Sequence, residues 1–411
     1  MRASLFVLLL LASGVLNAQK SLVNGNWKGY LVREDKKEVV FTFDITGKFP
    51  KQQLIIKNGT ERIKISKLTF IGDSIYFDMP VFESSFRVKA TKGSKLEGWW
   101  IKGTSAAPQK WAFHAEQTNA PRFEGSATPI ANISGRWAMF ITRPNKTERP
   151  AVAEFKQVGD YLTGSVITPS GDYRFLEGKV IGDSMVLSVF DGSHVYHFNA
   201  KIADSGAIRK GVFYSGYNTT ETWIAYKDPK AELPDVGNTP MVRQPERPLD
   251  FKFPDLDSNL VSITDDRYKG KVVVIQLMGS WCPNCMDETA FLSDFYNKQG
   301  RDKKVEIIAL AYEYSTDFKR SVASLTKFKN RYNVKYPMLI TPTTVIDTLR
   351  TEKTLPQITT IRVYPTTIIV GKDGRIRKID TGFVGPGTGV HYEAYVKNFM
   401  ELLARLNEEE N

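Results

Sequence analysis

The first half of the chain alternates apolar and polar positions in a way that is typical of antiparallel β-strands. Between residues 25 and 230, short aromatic-rich runs such as VVFTFDI, QQLIIK and SIYFDM are separated by Gly, Asp and Asn. We find no convincing 3.6-residue helical period in this half. The pattern therefore predicts a region built from β-strands.

The same half repeats itself at an interval of about 110 residues. GNWKGYLV from Gly25 resembles GRWAMFIT from Gly135, and IGDSIYF from Ile71 resembles IGDSMVL from Ile181. Each copy opens with Gly-x-Trp and closes with a strand that contains Trp, a pattern that suits a small up-and-down barrel or sandwich. We expect two copies of one β-domain whose tryptophans fill the cores.

A different pattern follows a charged segment that is rich in proline. This segment predicts an extended linker that holds the β-rich half near the rest of the chain without fixing one geometry. KVVVIQLMG and VEIIALAYE are continuous apolar runs of the kind found in buried parallel strands. Each precedes a helical pattern, and Ser315 or Thr316 is the expected cap of the second helix. TTIIVGKDGRIRKI predicts two strands about the Asp373-Gly374 turn, and YEAYVKNFMELLARL a terminal helix.

These patterns predict a multi-domain chain: a duplicated antiparallel β-barrel or sandwich region, followed by an α/β domain with thioredoxin topology. The expected boundaries are as follows: a leader at 1–18, β-domains at 19–125 and 126–228, the linker at 229–249 and the thioredoxin-like domain at 250–411.

The leader has the features of a secretory signal peptide. Arg2 precedes an apolar run from Leu5 to Leu16, and Leu16-Asn17-Ala18 is a plausible cleavage site. The alternative, a membrane anchor, needs about 20 apolar residues, and the run is shorter. We expect a periplasmic or otherwise secreted protein with no stable membrane insertion after cleavage. Its net charge of +11 is spread along the chain among acids, so we expect no nucleic-acid partner.

The C-terminal part, from Asp250 to about Leu406, resembles the TlpA/ResA-like family of secreted thioredoxin-fold thiol–disulfide oxidoreductases. The motif WCPNC at a strand-to-helix junction carries the resemblance, together with Glu288 and the later motif YPTT. The resemblance implies that Pro365 is a cis-proline facing the cysteine pair. The family often carries an acid at the position of Glu288, which can take up or deliver the proton of Cys285. Because Gln276 stands where many thioredoxins have a buried acid, proton handling would fall to Glu288 or water.

Cys282 and Cys285 are the two cysteines of the chain. Cys282 sits at a helix start, where the partial positive charge stabilises a thiolate, so we expect it to be the exposed nucleophile and Cys285 the resolving thiol. A structural disulfide in so short a loop would add little stability, and a zinc site would lack a second cysteine pair. Trp281 is expected to shield the sulfurs, and the Tyr364 backbone to pair with a substrate strand.

The sequence thus predicts an enzyme that exchanges disulfides with protein thiols and is served by an upstream membrane or envelope redox partner. We expect no cofactor and no metal. One alternative is a redox-sensitive binding protein whose β-repeats bind a ligand or partner. Another is a thiol peroxidase, although QLMGSWC lacks the proline and threonine that a peroxidatic cysteine needs.

Overall fold

The computed structural model describes residues 21–103, 108–234, 237, 239–300 and 304–409. The predicted signal peptide, residues 1–18, lies outside the described residues. Three sheets form the bulk of the molecule: two large antiparallel sheets in the N-terminal half and a smaller mixed sheet covered by helices in the C-terminal part.

The first large sheet has nine strands in the order β4-β3-β2-β1-β9-β8-β7-β6-β5. Aromatic and branched residues alternate inward along these strands, as the sequence pattern predicts. The bounds are β1 Gly25–Val32, β2 Glu38–Thr46, β3 Gln53–Asn58, β4 Glu61–Ile65, β5 Thr69–Ile71, β6 Ser74–Asp78, β7 Ser84–Thr91, β8 Lys95–Lys102 and β9 Gln109–Gln117.

The second large sheet closes on itself. It runs β11-β10-β18-β17-β16-β15-β14-β12-β13, and an additional pairing of β11 with β12 joins its ends into a barrel. Closure removes the free edges that an open sheet would leave. The bounds are β10 Gly135–Thr142, β11 Glu148–Val158, β12 Tyr161–Thr168, β13 Gly171–Asp172, β14 Leu176–Ile181, β15 Ser184–Phe190, β16 Val195–Asp204, β17 Ala207–Ser215 and β18 Thr219–Lys227.

The two sheets bury their first tryptophans in the same way. Trp27 donates its indole N–H to the carbonyl of Val23 at 2.9 Å, and Trp137 donates to the carbonyl of Ile133 at 2.9 Å. Both side chains are buried in separate apolar cores, as expected of core plugs. The sheets also pack on each other. Phe190, the last residue of β15 in the barrel, lies in the apolar core of the first sheet.

The C-terminal part has a five-stranded sheet in the order β23-β22-β21-β24-β25, with β21 parallel to β22 and antiparallel to β24. Its central strands are buried along their whole length, as their continuous apolar runs predict. This is a thioredoxin-like arrangement. The bounds are β19 Lys252–Pro254, β20 Leu260–Ser262, β21 Val272–Met278, α1 Pro283–Phe295, β22 Val305–Ala311, α2 Phe318–Tyr332, β23 Met338–Ile340, α3 Arg350–Thr354, β24 Thr366–Val370, β25 Ile376–Thr381 and α4 Val390–Glu408.

The cap of α2 differs from the expected one. Asp317, rather than Ser315 or Thr316, is the N-cap, and its carboxylate accepts a hydrogen bond from the backbone N–H of Arg320 at 3.1 Å. A carboxylate both accepts this bond and favours the positive end of the helix dipole. None of the helices in the described ranges is long and apolar enough to cross a bilayer.

The proline-rich segment is attached to its neighbours more firmly than a loose linker would be. Arg243 donates its backbone N–H to the carbonyl of Gln357 at 2.8 Å, and Val242 forms an isolated bridge with Ile358. Ala231 is buried in a small cluster with Ile167 of the barrel. Both ends of the expected linker therefore contact folded parts of the chain.

Candidate redox site

The cysteine pair lies at the start of α1, where strand β21 ends. Cys282 and Cys285 form a disulfide, with their Cα atoms 5.2 Å apart. Cys282 is the N-cap, and its sulfur accepts the backbone N–H of Cys285 at 3.2 Å. The same N–H group would also stabilise the thiolate of Cys282.

Cys282 is more enclosed than the sequence predicts. Only 4% of the residue is exposed, and Cys285 is fully buried. Val81 and Phe82, from the turn between β6 and β7, belong to the same large buried apolar cluster as both cysteines. The expectation of an exposed nucleophile is wrong for this state of the molecule.

The predicted neighbours of the pair are brought together. The Trp281 indole N–H donates to the carbonyl of Tyr312 at 2.9 Å, and its ring lies 5.7 Å from that of Tyr364, centroid to centroid. The Tyr364–Pro365 peptide bond is cis, as the resemblance implies. Trp281 and Tyr364 thus form an aromatic wall beside the start of α1.

Glu288 is buried inside the thioredoxin-like part, one turn beyond Cys285. Gln276 donates to one Glu288 carboxyl oxygen at 2.8 Å, and Thr367 donates its hydroxyl to the other. Burial raises the pKa of Glu288 to about 7, and these hydrogen bonds offset only part of the rise. A carboxyl group with this pKa can both give and take a proton near neutral pH.

Sequence reasoning missed a second charged group on α1. Asp287 faces away from Glu288, towards the barrel, and forms an ion pair with Arg174. The same guanidinium pairs with Glu61 of the first sheet, and its Nε lies 3.2 Å from Asp191 of the barrel. One buried arginine therefore joins carboxylates from three parts of the chain; we call Arg174, Glu61, Asp191 and Asp287 the Arg174 cluster.

The Arg174 cluster has more carboxylates than cations. Burial, together with the charges of Asp172 and Glu61, raises the pKa of Asp287 to about 7 even though Arg174 lowers it. Burial also acts to raise the pKa of Asp191, but His194 and Arg174 outweigh it and hold that pKa below its usual value. The pKa of Asp287 thus lies near neutral pH.

Backbone contacts join the same region of the barrel to the redox motif. The buried carboxylate of Asp172 accepts the backbone N–H of Gly385 at 2.7 Å, and Asn284, between the two cysteines, donates to the carbonyl of Ser170 at 3.4 Å. A Cβ at Gly171, whose φ is +128°, would lie 1.9 Å from Asn284 Nδ2. Only a residue without a side chain allows this approach.

A cleft of about 370 Å³ opens beside Trp281. Its walls combine aromatic and charged groups from loops next to each of the three sheets and from α2. The lining includes Phe82, Lys102, Ser193, Trp281, Glu313, Tyr314 and Arg320. Its lining also includes Ser280, so the cleft adjoins the two residues that precede Cys282.

No local signal marked Arg174 or Asp172 as part of this site. Both lie in the β-rich half, more than a hundred residues before the cysteines, in a turn without any recognised motif. Asp287 precedes Glu288 in the sequence, but nothing there distinguishes it from an ordinary acidic residue of a helix. The one available hint was the glycine-rich run Gly382 to Gly389, since clustered glycines permit close backbone approach.

Comparison with known proteins bears on the C-terminal part of the chain. Residues 246–379 match the model of the AhpC/TSA family. Among solved structures, a thiol-disulfide isomerase from Corynebacterium glutamicum is 18% identical, with a TM-score of 0.31. The match covers 40% of this chain and 97% of that protein. A DsbF homologue from Corynebacterium diphtheriae is 21% identical, with a TM-score of 0.30, and covers 41% and 97%.

The sequence relatives are more informative. The thiol-disulfide oxidoreductase ResA of Halalkalibacterium halodurans is 27% identical over 164 residues, which are 40% of this chain and 78% of that protein. ResA of Bacillus thuringiensis is 30% identical over 149 residues, 36% of this chain and 73% of that protein. These matches confirm the resemblance, and through its C-terminal part the chain belongs to the family of the ResA thiol-disulfide oxidoreductases.

Proposed function

We propose that this protein exchanges disulfides with protein partners outside the cytosol, using Cys282 and Cys285 as its redox pair. The observation that carries the proposal is the disulfide at the N-terminus of α1, with Glu288 buried one turn behind it. A bond closed by so short a loop contributes little to stability, so a role in being made and broken accounts for it better.

The exchange proceeds by two thiolate attacks. In the reducing direction, the Cys282 thiolate attacks a partner disulfide, forms a mixed disulfide and releases one partner thiolate, which takes up a proton. The Cys285 thiol then loses its proton, attacks the Cys282 sulfur and releases the second partner thiolate. The partner gains two electrons and two protons, and the enzyme ends with its own disulfide. The oxidising direction is the reverse.

Glu288 is the proposed acceptor and donor of the Cys285 proton. Its pKa of about 7 and its position one turn along α1 support this role, and no other carboxyl among the described residues lies on that face of the helix. Trp281 and Tyr364 would form the surface on which the partner lies, with the backbone beside Pro365 pairing with an extended partner segment. No step requires a metal or an organic cofactor.

A redox pair that turns over needs a second partner that restores it. We propose an upstream membrane or envelope redox protein for this role, in a periplasmic or otherwise secreted location. The signal-peptide pattern of residues 1–18 supports this location. Disulfide chemistry persists in such compartments and is rare in the cytosol.

We also infer that the two large sheets are copies of one β-domain, at 19–125 and 126–228, and that they select the partner without performing chemistry. The repeated sequence motifs and the matching Trp27 and Trp137 hydrogen bonds support the duplication. The cleft beside Trp281 supports partner selection, because Lys102 of the first sheet and a loop of the barrel line it. The alternative, a redox-sensitive binding protein, is compatible with the same two features, the cysteine pair and the cleft.

Variants of the two cysteines test the proposal. Cys285→Ser should trap mixed disulfides with partner proteins through Cys282, whereas Cys282→Ser should trap none and should not reduce insulin disulfides. Trapped species are counted on non-reducing gels and lost on reduction. Trapping by Cys282→Ser would reverse the roles. Rapid peroxide consumption by the wild-type protein, without insulin reduction, would favour the peroxidase alternative instead.

A further inference from the structure

A turn of the barrel is inserted between two segments of the thioredoxin-like part. Residues 170–174 lie against the first turn of α1 on one side and against residues 382–389 on the other. At Gly387, a Cβ would lie 2.8 Å from the carbonyl oxygen of Arg174. The barrel thus reaches the redox motif by direct contact, with no space for an intervening layer.

Arg174 is the central residue of this contact. It is 1% exposed, and its backbone has a φ of +59°, which is uncommon for a residue with a side chain. Its Nη1 lies 3.4 Å from the carbonyl oxygen of Pro283, the residue after Cys282, and pairs with Asp287. Burying an arginine in this way is expensive unless it is paired, and one of its three carboxylate partners, Asp287, lies on the redox helix.

We propose that Arg174 and Asp172 are positioning residues for disulfide exchange, so that the barrel completes the redox site instead of only recruiting partners. Asp172 fixes residues 382–389 through Gly385, and Arg174 fixes the first turn of α1 and sets the charge that surrounds the Cys282 thiolate. This inference rests on the proposed function and extends it.

The charges of Arg174 and Asp287 predict the direction in which each substitution shifts the redox equilibrium. Removing the positive charge of Arg174 should destabilise the Cys282 thiolate, so the pKa of that thiol should rise and the disulfide should be favoured. Removing the negative charge of Asp287 should do the opposite. A merely structural role would not make two substitutions at one ion pair shift the redox equilibrium in opposite directions.

The experiment uses full-length protein and two readouts of the cysteine pair. Arg174→Gln and Asp287→Asn are equilibrated with glutathione buffers at a pH above the pKa of Asp287, and the Cys282 thiol is titrated by its thiolate absorbance. We expect the equilibrium constant for reduction to fall about tenfold in Arg174→Gln, which is about 30 mV for two electrons. We expect it to rise in Asp287→Asn, with the thiol pKa moving accordingly.

Arg122→Gln is the matched control. Arg122 is also a buried arginine, paired with Glu177 at 3.1 Å, but it joins the two large sheets, and its hydrogen bonds and ion pair among the described residues are all within them. It should change stability and leave the redox equilibrium at the wild-type value. Arg174→Lys, which keeps the charge, should restore most of the equilibrium that Arg174→Gln loses.

The outcomes distinguish a failure of the positioning role from a failure of the proposed function. If Arg174→Gln and Asp287→Asn shift the equilibrium in the same direction, or no more than Arg122→Gln does, the positioning role is wrong. If Arg174→Gln does not fold, Asp287→Asn and Arg174→Lys still test it, since each keeps a polar partner in the contact. If the wild-type pair does not exchange with glutathione at all, the proposed function itself fails.

Discussion

Asp287 and Glu288 are neighbours on α1, yet they face two different regions of the molecule. Glu288 points into the thioredoxin-like sheet, where its partners are the uncharged side chains of Gln276 and Thr367. Asp287 points towards the barrel and meets the guanidinium of Arg174. Burial raises the pKa of each to about 7.

The comparison shows that two different environments can raise the pKa of a carboxyl group to the same value. For Glu288, burial disfavours the ionised form, and the negative charge of Asp380 adds to this effect. For Asp287, a cation is present, but neighbouring carboxylates compete for it. Glu288 is therefore controlled from within its own domain, whereas the state of Asp287 depends on how the barrel is placed. The following predictions test this contrast.

The largest effect should come from Arg174→Met. This change leaves Glu61, Asp191 and Asp287 without their shared cation, and an uncompensated buried charge costs about 3–5 kcal/mol. Urea unfolding followed by tryptophan fluorescence measures the loss. Arg377→Met, at a partly exposed ion pair on β25, is the control and should cost about 1 kcal/mol or less. A loss in Arg174→Met as small as in the control would contradict the central role of the cluster.

Glu288→Gln should remove part of the pH dependence of stability. The folded-state pKa of about 7 is above the unfolded value of 4.5, so the folded protein holds the proton more tightly. Wild-type stability should fall as the pH rises from 4.5 to about 7, by roughly 3 kcal/mol at most. Glu288→Gln should lack this decrease and be the more stable protein above pH 7. Unfolding at a series of pH values checks it, with exposed Glu401→Gln as the unchanged control.

Asp287→Asn should have an effect of the same sign but smaller. Its folded-state pKa of about 7 is also above the unfolded value of 3.8, so stability is lost as the pH rises between them. The substitution gives up the ion pair with Arg174, which offsets part of the gain, and we expect about 1 kcal/mol above pH 7. In an Arg174→Met background the same substitution should be clearly more stabilising. Equal effects in both backgrounds would show that the two residues are not coupled.

The smallest effect should come from His391→Ala. His391 lies 2.6 Å from Glu154 of the barrel, at the rim of the same interface, and both side chains are about one-fifth exposed. Such a pair contributes about 0.2–1 kcal/mol. A loss comparable to that of Arg174→Met would mean that the interface energy is spread over the rim and is not concentrated at the Arg174 cluster.

The sequence by itself determined the elements and the redox motif. Alternation and continuous apolar runs predicted the strands of all three sheets, because side-chain burial follows the two-residue period of a strand. WCPNC and YPTT marked Cys282, Cys285 and Pro365, and the two motifs meet because β21, which leads into α1, pairs with β24 in the sheet.

The tertiary structure alone decided how the β-rich half meets that site. A pattern of apolar positions shows which face of a strand is buried, but it carries no information on which distant turn will cover a given helix. Arg174 and Asp172 belong to the redox site only because the barrel is packed against α1, with glycines where the backbones approach most closely. The pKa of Asp287 follows from the same packing, since it depends on charges that are remote in sequence.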